Sequence, residues 1–262
     1  MKNRPLQPKF GGRVNIKVIG LGGVGSIVAE YLTLWTGAQS AAHPESQFRI
    51  VLIDGDHFES DNARMFFGAL GPKALVKRDD LLDRIGDRFP ELSISAVEEY
   101  VDESNVERLI HEDDIVLLCV DRHASRKLVS EYFEKHIDNG VLISAGNDGV
   151  GEDSDGIVQR GTYGNCQVYV RRDGTDVTPS LTAFHPEIRN PADTLPTDES
   201  CTEQVASVPQ LLFANYWAAG TILSSMFLSL CDGLGYSELA FDFAEGKMMP
   251  IDLPAPVVAS LR

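Results

Sequence analysis

The sequence predicts an α/β fold: a doubly wound, Rossmann-like, mostly parallel sheet extended by antiparallel strands. Three observations predict it. Residues 14–19, Val-Asn-Ile-Lys-Val-Ile, run straight into the glycine cluster Gly20-Leu21-Gly22-Gly23-Val24-Gly25 and then into a stretch with helical apolar spacing. That order is strand, tight turn, helix. Short apolar runs then alternate with helical stretches up to about residue 150, as in parallel βαβ units. Beyond that point strand-like runs follow one another through Gly and Thr turns, which is antiparallel grammar.

Taken in order, the first strand ends where Gly20, Gly22 and Gly25 fit G-x-G-x-x-G, with Gly23 as an extra glycine. Such glycines let backbone approach a phosphate, and the helix start offers N–H groups and partial positive charge. The plainer reading is a tight turn alone. Residues 37–46 are small and polar and predict a surface loop. Phe48 to Asp54 is a second buried strand. Its acidic end points toward the site, because ligands of open α/β sheets sit over the carboxyl ends of the strands. Residues 55–71 carry little periodicity. Pro72 opens a helix through about Asp87, with Lys73 in its first turn.

Leu92 to Val97 predicts the third strand, and Ser104 to His111 a helix capped by Ser104. Ile115 to Val120 predicts the fourth, ending on Asp121, and Arg122 to His136 the next helix. Val141 to Ala145 predicts the fifth strand. Gly156 to Gly161 and Cys166 to Arg172 read as antiparallel strands. Residues 173–204, rich in Asp, Pro, Thr and Glu, form a crossover connection too long to be ordinary, which points to function. An uncharged helix over 205–231 and strands over 237–243 and 247–251 complete the chain. The whole, 1–262, reads as one domain, with a nucleotide-binding half over 14–150 and a second half over 151–262.

Composition narrows the function. A chain of 262 residues buries a full core. A net charge of −16 argues against a nucleic-acid partner. The four cysteines, Cys119, Cys166, Cys201 and Cys231, form no C-x-x-C pair and give no zinc signature. No apolar signal-peptide core follows Met1, so the expected location is cytoplasmic. Val205 to Cys231 is uncharged and long enough to cross a bilayer. Its interspersed Ser207, Gln210, Asn215, Thr221 and Ser225 favour a helix covered by protein and no membrane span.

The glycine loop, Asp54-Gly55-Asp56 with Asn62 and Arg64 downstream, Lys73, and Asp121 with Arg126 five residues on all fall after strands. Together they resemble the ThiF/MoeB/E1 superfamily of ubiquitin-activating-like adenylyltransferases. That pattern is G-x-G-G-x-G, a strand ending D-x-D, S-N-x-x-R, G-x-x-K and D-x-x-x-x-R, and the likeness covers nearly the whole chain. The resemblance implies a ThiF/E1-like fold that binds ATP through Gly20, Gly22, Gly23 and Gly25. It implies that Asp54, within Asp54-Gly55-Asp56, holds the ribose, that Asn62 and Lys73 contact phosphate, and that Asp121 organises Mg²⁺. Arg64 matches the triphosphate arginine but follows Asn62 by two residues instead of three. The segment before Lys73 is one residue short, and Arg4 and Arg13 only weakly replace the arginine that bacterial homodimers exchange. The relatives' paired C-x-x-C motifs are absent, so no structural zinc is expected.

The implied reaction is adenylation of a carboxylate, the C-terminal glycine of a small ubiquitin-like or sulfur-carrier protein, with release of pyrophosphate. A homodimer is expected on the same ground. Each residue also has a plainer role. Asp54 could cap a strand-end turn, Lys73 and Arg64 could be surface charges, Asp121 could cap the next helix, and Arg126 could be structural. Two rival functions are an NAD-dependent oxidoreductase and a non-catalytic E1-like binding partner. Cys201, in the polar run Glu199-Ser200-Cys201-Thr202-Glu203, resembles the region of the E1 transfer cysteine, although Glu199 and Glu203 would raise its pKa.

Overall fold

The computed structural model describes residues 5–59, 69–152, 158–198 and 210–255. The first strand, β1 (Arg13–Ile19), enters α1 (Gly23–Ala42) through the glycine turn and returns as β2 (Gln47–Ile53). The short strands β3 (His57–Phe58) and β4 (Gly71–Pro72) pair with each other and lead into α2 (Lys73–Ile85) and β5 (Ser93–Val97). Then come α3 (Val106–Leu109), β6 (Ile115–Leu118), α4 (His123–His136) and β7 (Gly140–Asn147). The second half holds β8 (Val150–Glu152), β9 (Val158–Arg160), β10 (Tyr163–Arg172), β11 (Thr175–Asp176), α5 (Pro186–Arg189), α6 (Leu212–Leu230), β12 (Glu238–Asp242) and β13 (Lys247–Ile251).

The main sheet runs β13-β12-β10-β7-β6-β1-β2-β5, with β11 on β10. From β7 to β5 every pairing is parallel, and β10, β12 and β13 are added antiparallel, as the sequence predicts. The chain winds outward from β1 in both directions. The crevice between β1 and β6 is therefore a topological switch point, where α/β sheets bind ligands.

Both faces of the parallel strands are covered, which is why they read as near-continuous apolar runs. On one face Val14, Ile16 and Val18 pack with Val28 and Leu32 of α1 and Ile222 and Met226 of α6. On the other, Ile19, Val116 and Leu142 pack with Val129 and Phe133 of α4 and Ile188 of α5. The period-2 alternation of β1 sends its side chains to these two layers in turn.

Three local expectations are corrected. Residues 37–42 are not a surface loop but the last turns of α1. Ala38, Gln39, Ala41 and Ala42 favour helix, and Gly37 is small because a Cβ there would lie 2.3 Å from the Phe89 ring. Ser104 does not cap a helix over 104–111. Its hydroxyl and amide both bond the Asp102 carboxylate, a competing local turn, and the helix shrinks to the single turn of α3. The uncharged helix begins at Leu212 within the described residues, while 205–209 lie outside them. Among the described residues no helix is long and apolar enough to cross a membrane.

Candidate functional site

The glycine turn is shaped by backbone crowding on one side and open space on the other. Gly20 has φ +87°, and a Cβ there would sit 2.9 Å from the Cys119 carbonyl of the neighbouring strand end. A Cβ at Gly25 would come within 1.8 Å of the Gly20 carbonyl, so α1 can press against the turn only with glycine. At Gly22 the same construction meets nothing within 4 Å. Gly22 is also the N-cap of α1 and supplies no side-chain hydrogen bond. The first-turn amides of a 20-residue helix thus open onto the crevice, a ready anion cradle.

Asp54, at the end of β2, fastens this turn from below. Its carboxylate accepts from the Leu21 amide at 2.5 Å and from the Asp56 amide at 2.8 Å. Burial raises its pKa, against the pull of Lys73 and the two amides. Asp56 is half-exposed and pairs with the Lys73 ammonium at 2.5 Å. Lys73 opens α2, and its own amide donates to the Asp56 carbonyl at 2.8 Å. The β3–β4 ladder, with His57 opposite Pro72, brings these two distant residues together. The ammonium lies 5.8 Å above the Phe58 ring, which shields the pair from one side.

Tyr100 was not singled out by the sequence, yet it closes the floor. A Cβ on Gly55 would stand 2.5 Å from the Tyr100 amide and 2.7 Å from its ring. Burial, and then the charges of Asp56, Asp54 and Asp121, push the phenol up to about 12, with Arg122 opposing. One phenol thus feels three carboxylates from two strand ends, β2 and β6.

Asp121 is exposed, three residues past the end of β6. It does not cap α4. The N-cap is Arg122, which makes no side-chain cap bond, and the first amides are held from a distance. Asp193 accepts from the His123 amide at 2.9 Å and from the Ala124 amide at 2.8 Å, while Arg122 donates to the Thr194 carbonyl at 3.1 Å. Arg126, one turn on, is buried and structural. Its guanidinium donates to the Val120 carbonyl at 3.2 and 3.1 Å and to the Ala145 carbonyl at 3.2 Å, tying the ends of β6 and β7. Gly146 makes room, since a Cβ there would lie 2.4 Å from the guanidinium.

A ThiF family profile matches residues 12–240, most of the chain. The chain belongs to the ThiF family. Among solved structures, this ThiF chain is similar to E. coli MccB with MccA at 18% identity and TM-score 0.62, covering 93% of this chain and 65% of that one. E. coli MccB with ATP gives 17% and 0.64, covering 94% and 66%. PaaA gives 12% and 0.57, covering 91% and 64%. At these identities the shared property is the fold, and the chain spans about 65% of the MccB length. No curated protein matches it.

Of the residues the sequence put forward, the ThiF fold gathers Gly20, Gly22, Gly23, Gly25, Asp54, Asp56, Lys73 and Asp121 at one edge of the sheet. Asn62, Arg64 and Cys201 lie outside the described residues. Two described cysteines are poor nucleophiles. Burial raises the Cys119 thiol far above its ordinary range and pushes Cys166 up to about 12. Among the described residues no cluster of three His, Cys, Asp or Glu side chains is arranged to hold a metal ion.

The ThiF crossover connection contributes a second polar group that the sequence did not reveal. His185 bonds Glu187 through Nδ1 at 2.8 Å and Glu238 of β12 through Nε2 at 3.0 Å. Asn165 of β10 donates to the other Glu238 oxygen at 3.0 Å. Burial alone would lower the imidazole pKa, but the two carboxylates outweigh it and raise it.

Proposed function

We propose that this ThiF-family protein is an ATP-dependent adenylyltransferase that activates a carboxylate. The observation that carries the reading is the convergence at one switch point of an open glycine cradle, the Asp54–Asp56–Lys73 cluster and the exposed Asp121. Gly22 and the α1 amides would take phosphate, with Asp54 keeping the turn in register. Lys73 would leave Asp56 for a phosphate oxygen. Asn62 and Arg64 would add contacts by the family pattern.

In the reaction a substrate carboxylate oxygen forms a bond to the α-phosphorus of ATP. The bond from that phosphorus to the β-phosphate bridge breaks, and its electron pair leaves with pyrophosphate. No proton need move, so the protein's work is to place two anions together and offset their charge. Mg²⁺ would be held by Asp121 and the phosphates, and would offset phosphate charge. Such sites use one or two carboxylates plus phosphate oxygens, so one exposed aspartate fits.

The carboxylate is that of the C-terminal glycine of a small ubiquitin-like or sulfur-carrier protein, gripped by the crossover connection over 173–204. MccB is seen with ATP in one structure and with MccA in another, which supports pairing a nucleotide with a second partner on this fold. The Cys201 thiolate would then form a bond to the acyl carbon of the acyl-adenylate, breaking its bond to the phosphate oxygen, so that AMP leaves and a thioester remains. A homodimer is supported by the exposed Tyr31, Leu34, Phe213 and Tyr216 on α1 and α6, the two helices that line a groove of about 370 Å³. The test is pyrophosphate release from ATP with candidate carrier proteins, read together with intact mass. Release that depends on a carrier's terminal glycine is expected. ATP turnover indifferent to every carboxylate would reject the reading.

A further inference from the structure

Asp121, one residue before the N-cap, is the carboxylate nearest in sequence to the start of α4. The first-turn amides of α4 need an acceptor, and Asp is among the best. Asp121 stands in that place and stays out, because Asp193, 69 and 70 residues away from its two donors, already holds the His123 and Ala124 amides. Thr194 takes Arg122 in the same stroke. The crossover connection therefore fills the coordination of the helix start and leaves the Asp121 carboxylate facing solvent.

The geometry points to Asp193 as a positioning residue for the nucleotide site, an inference that rests on the adenylation reading and deepens it. By capping α4 in place of Asp121, Asp193 keeps the Asp121 carboxylate outward and available to Mg²⁺. Without it, the first-turn amides recruit the nearer carboxylate, and the metal loses its ligand to a helix cap. Docking of the crossover connection and binding of Mg-ATP are then one linked equilibrium. Whatever stabilises the docked connection tightens the metal site, and bound Mg-ATP stabilises the docked connection by the same factor.

The test measures the Mg²⁺ concentration that half-maximally supports ATP-induced thermal stabilisation, in the full chain. In Asp193→Ala this midpoint should rise about tenfold, the order expected when a cap of this strength is lost and replaced by Asp121. Asp193→Asn keeps one of the two acceptor oxygens and turns an NH₂ toward the other amide, so it should raise the midpoint about threefold, less than Asp193→Ala. A residue that merely capped the helix would lower the unliganded melting temperature and leave the midpoint in place. An unmoved midpoint, or tighter binding, in Asp193→Ala therefore overturns the inference. Should Asp193→Ala fail to fold, Asp193→Glu keeps the charge but overreaches by a methylene. A rise of about threefold is expected there, and no change is equally fatal. A wild type that ignores ATP at every Mg²⁺ concentration would remove the adenylation reading and this inference together. A responsive wild type with an unaltered Asp193→Ala removes the inference alone.

Discussion

The two sides of the crevice are built by opposite means. On the β1–β2 side the parts are close in sequence or delivered by backbone pairing. Asp54 bonds Leu21 and Asp56, and the β3–β4 ladder sets Lys73 beside Asp56. On the β6–α4 side the strand ends and helix start are pinned by two long-reaching side chains, one from α4 itself and one from the crossover connection. Arg126 reaches back to two strand ends, and Asp193 arrives from the crossover connection. The first side is a preformed cradle. The second depends on a segment docking in place, so it is the side where binding and conformation can be coupled.

The largest expected effect separates the two. Asp54→Ala removes the acceptor of two amides and leaves the buried Leu21 amide unpaired, costing about 2 kcal/mol. It should also reduce Mg-ATP binding beyond detection, because the glycine turn loses its anchor. Denaturant unfolding and calorimetric titration check the two halves of this. A variant that binds normally would show that the cradle holds its shape without Asp54.

The same contrast explains what could be read from sequence. The glycine spacing, the acidic strand ends and the alternation of elements are local signals, and they gave the parallel half and the antiparallel extension. Asp56 meets Lys73 through a two-residue ladder that no periodicity announces. Asp193 and His185 lie in a stretch whose composition reads as loop, and only tertiary docking shows their partners. Ser104 failed as a cap because Asp102, two residues earlier, competes for it. Residues 37–42 misled because a run of small residues reads as a surface loop, whereas Gly37 is small to leave room for Phe89.

Next in size, Arg126→Met should cost about 2 kcal/mol in unfolding, since the Val120 and Ala145 carbonyls lose their donors. Its effect on Mg-ATP affinity should be smaller than that of Asp54→Ala, since it acts on the strand ends rather than the cradle. The reverse order would place the burden of binding on the β6–α4 side. Lys73→Ala should lower pyrophosphate release about 100-fold. It should barely change stability, because its partner Asp56 is half-exposed and such pairs contribute little. A normal rate would return Lys73 to the role of a surface charge.

The smallest effect concerns the His185 clasp on the crossover side. Its folded-state pKa is raised above the ordinary 6.5, so its stabilisation is full below that value and fades as pH rises through the folded pKa. Glu187 and Glu238 are lowered from 4.5, so their share is present above that value and is lost as pH falls through their folded pKa values. The clasp is strongest between the two limits. Hydrogen exchange over 181–189 should therefore be slowest, after correction for intrinsic rates, near pH 5.5 to 6.5 and should quicken toward pH 8, at roughly these ordinary values. His123, which also feels His185 and Glu187, has its pKa lowered, chiefly by burial. His185→Gln should flatten the profile. An unchanged profile in the variant would assign the pH dependence elsewhere.

The central claim is that the crevice between β1 and β6 receives a magnesium-bound nucleoside triphosphate. Thermal unfolding with Mg-ATP and, separately, with NAD tests it most directly, because only a ligand that binds the folded chain raises its melting temperature. The account predicts a rise with Mg-ATP that Asp121→Ala abolishes, and no rise with NAD. A rise with NAD and none with Mg-ATP would contradict it.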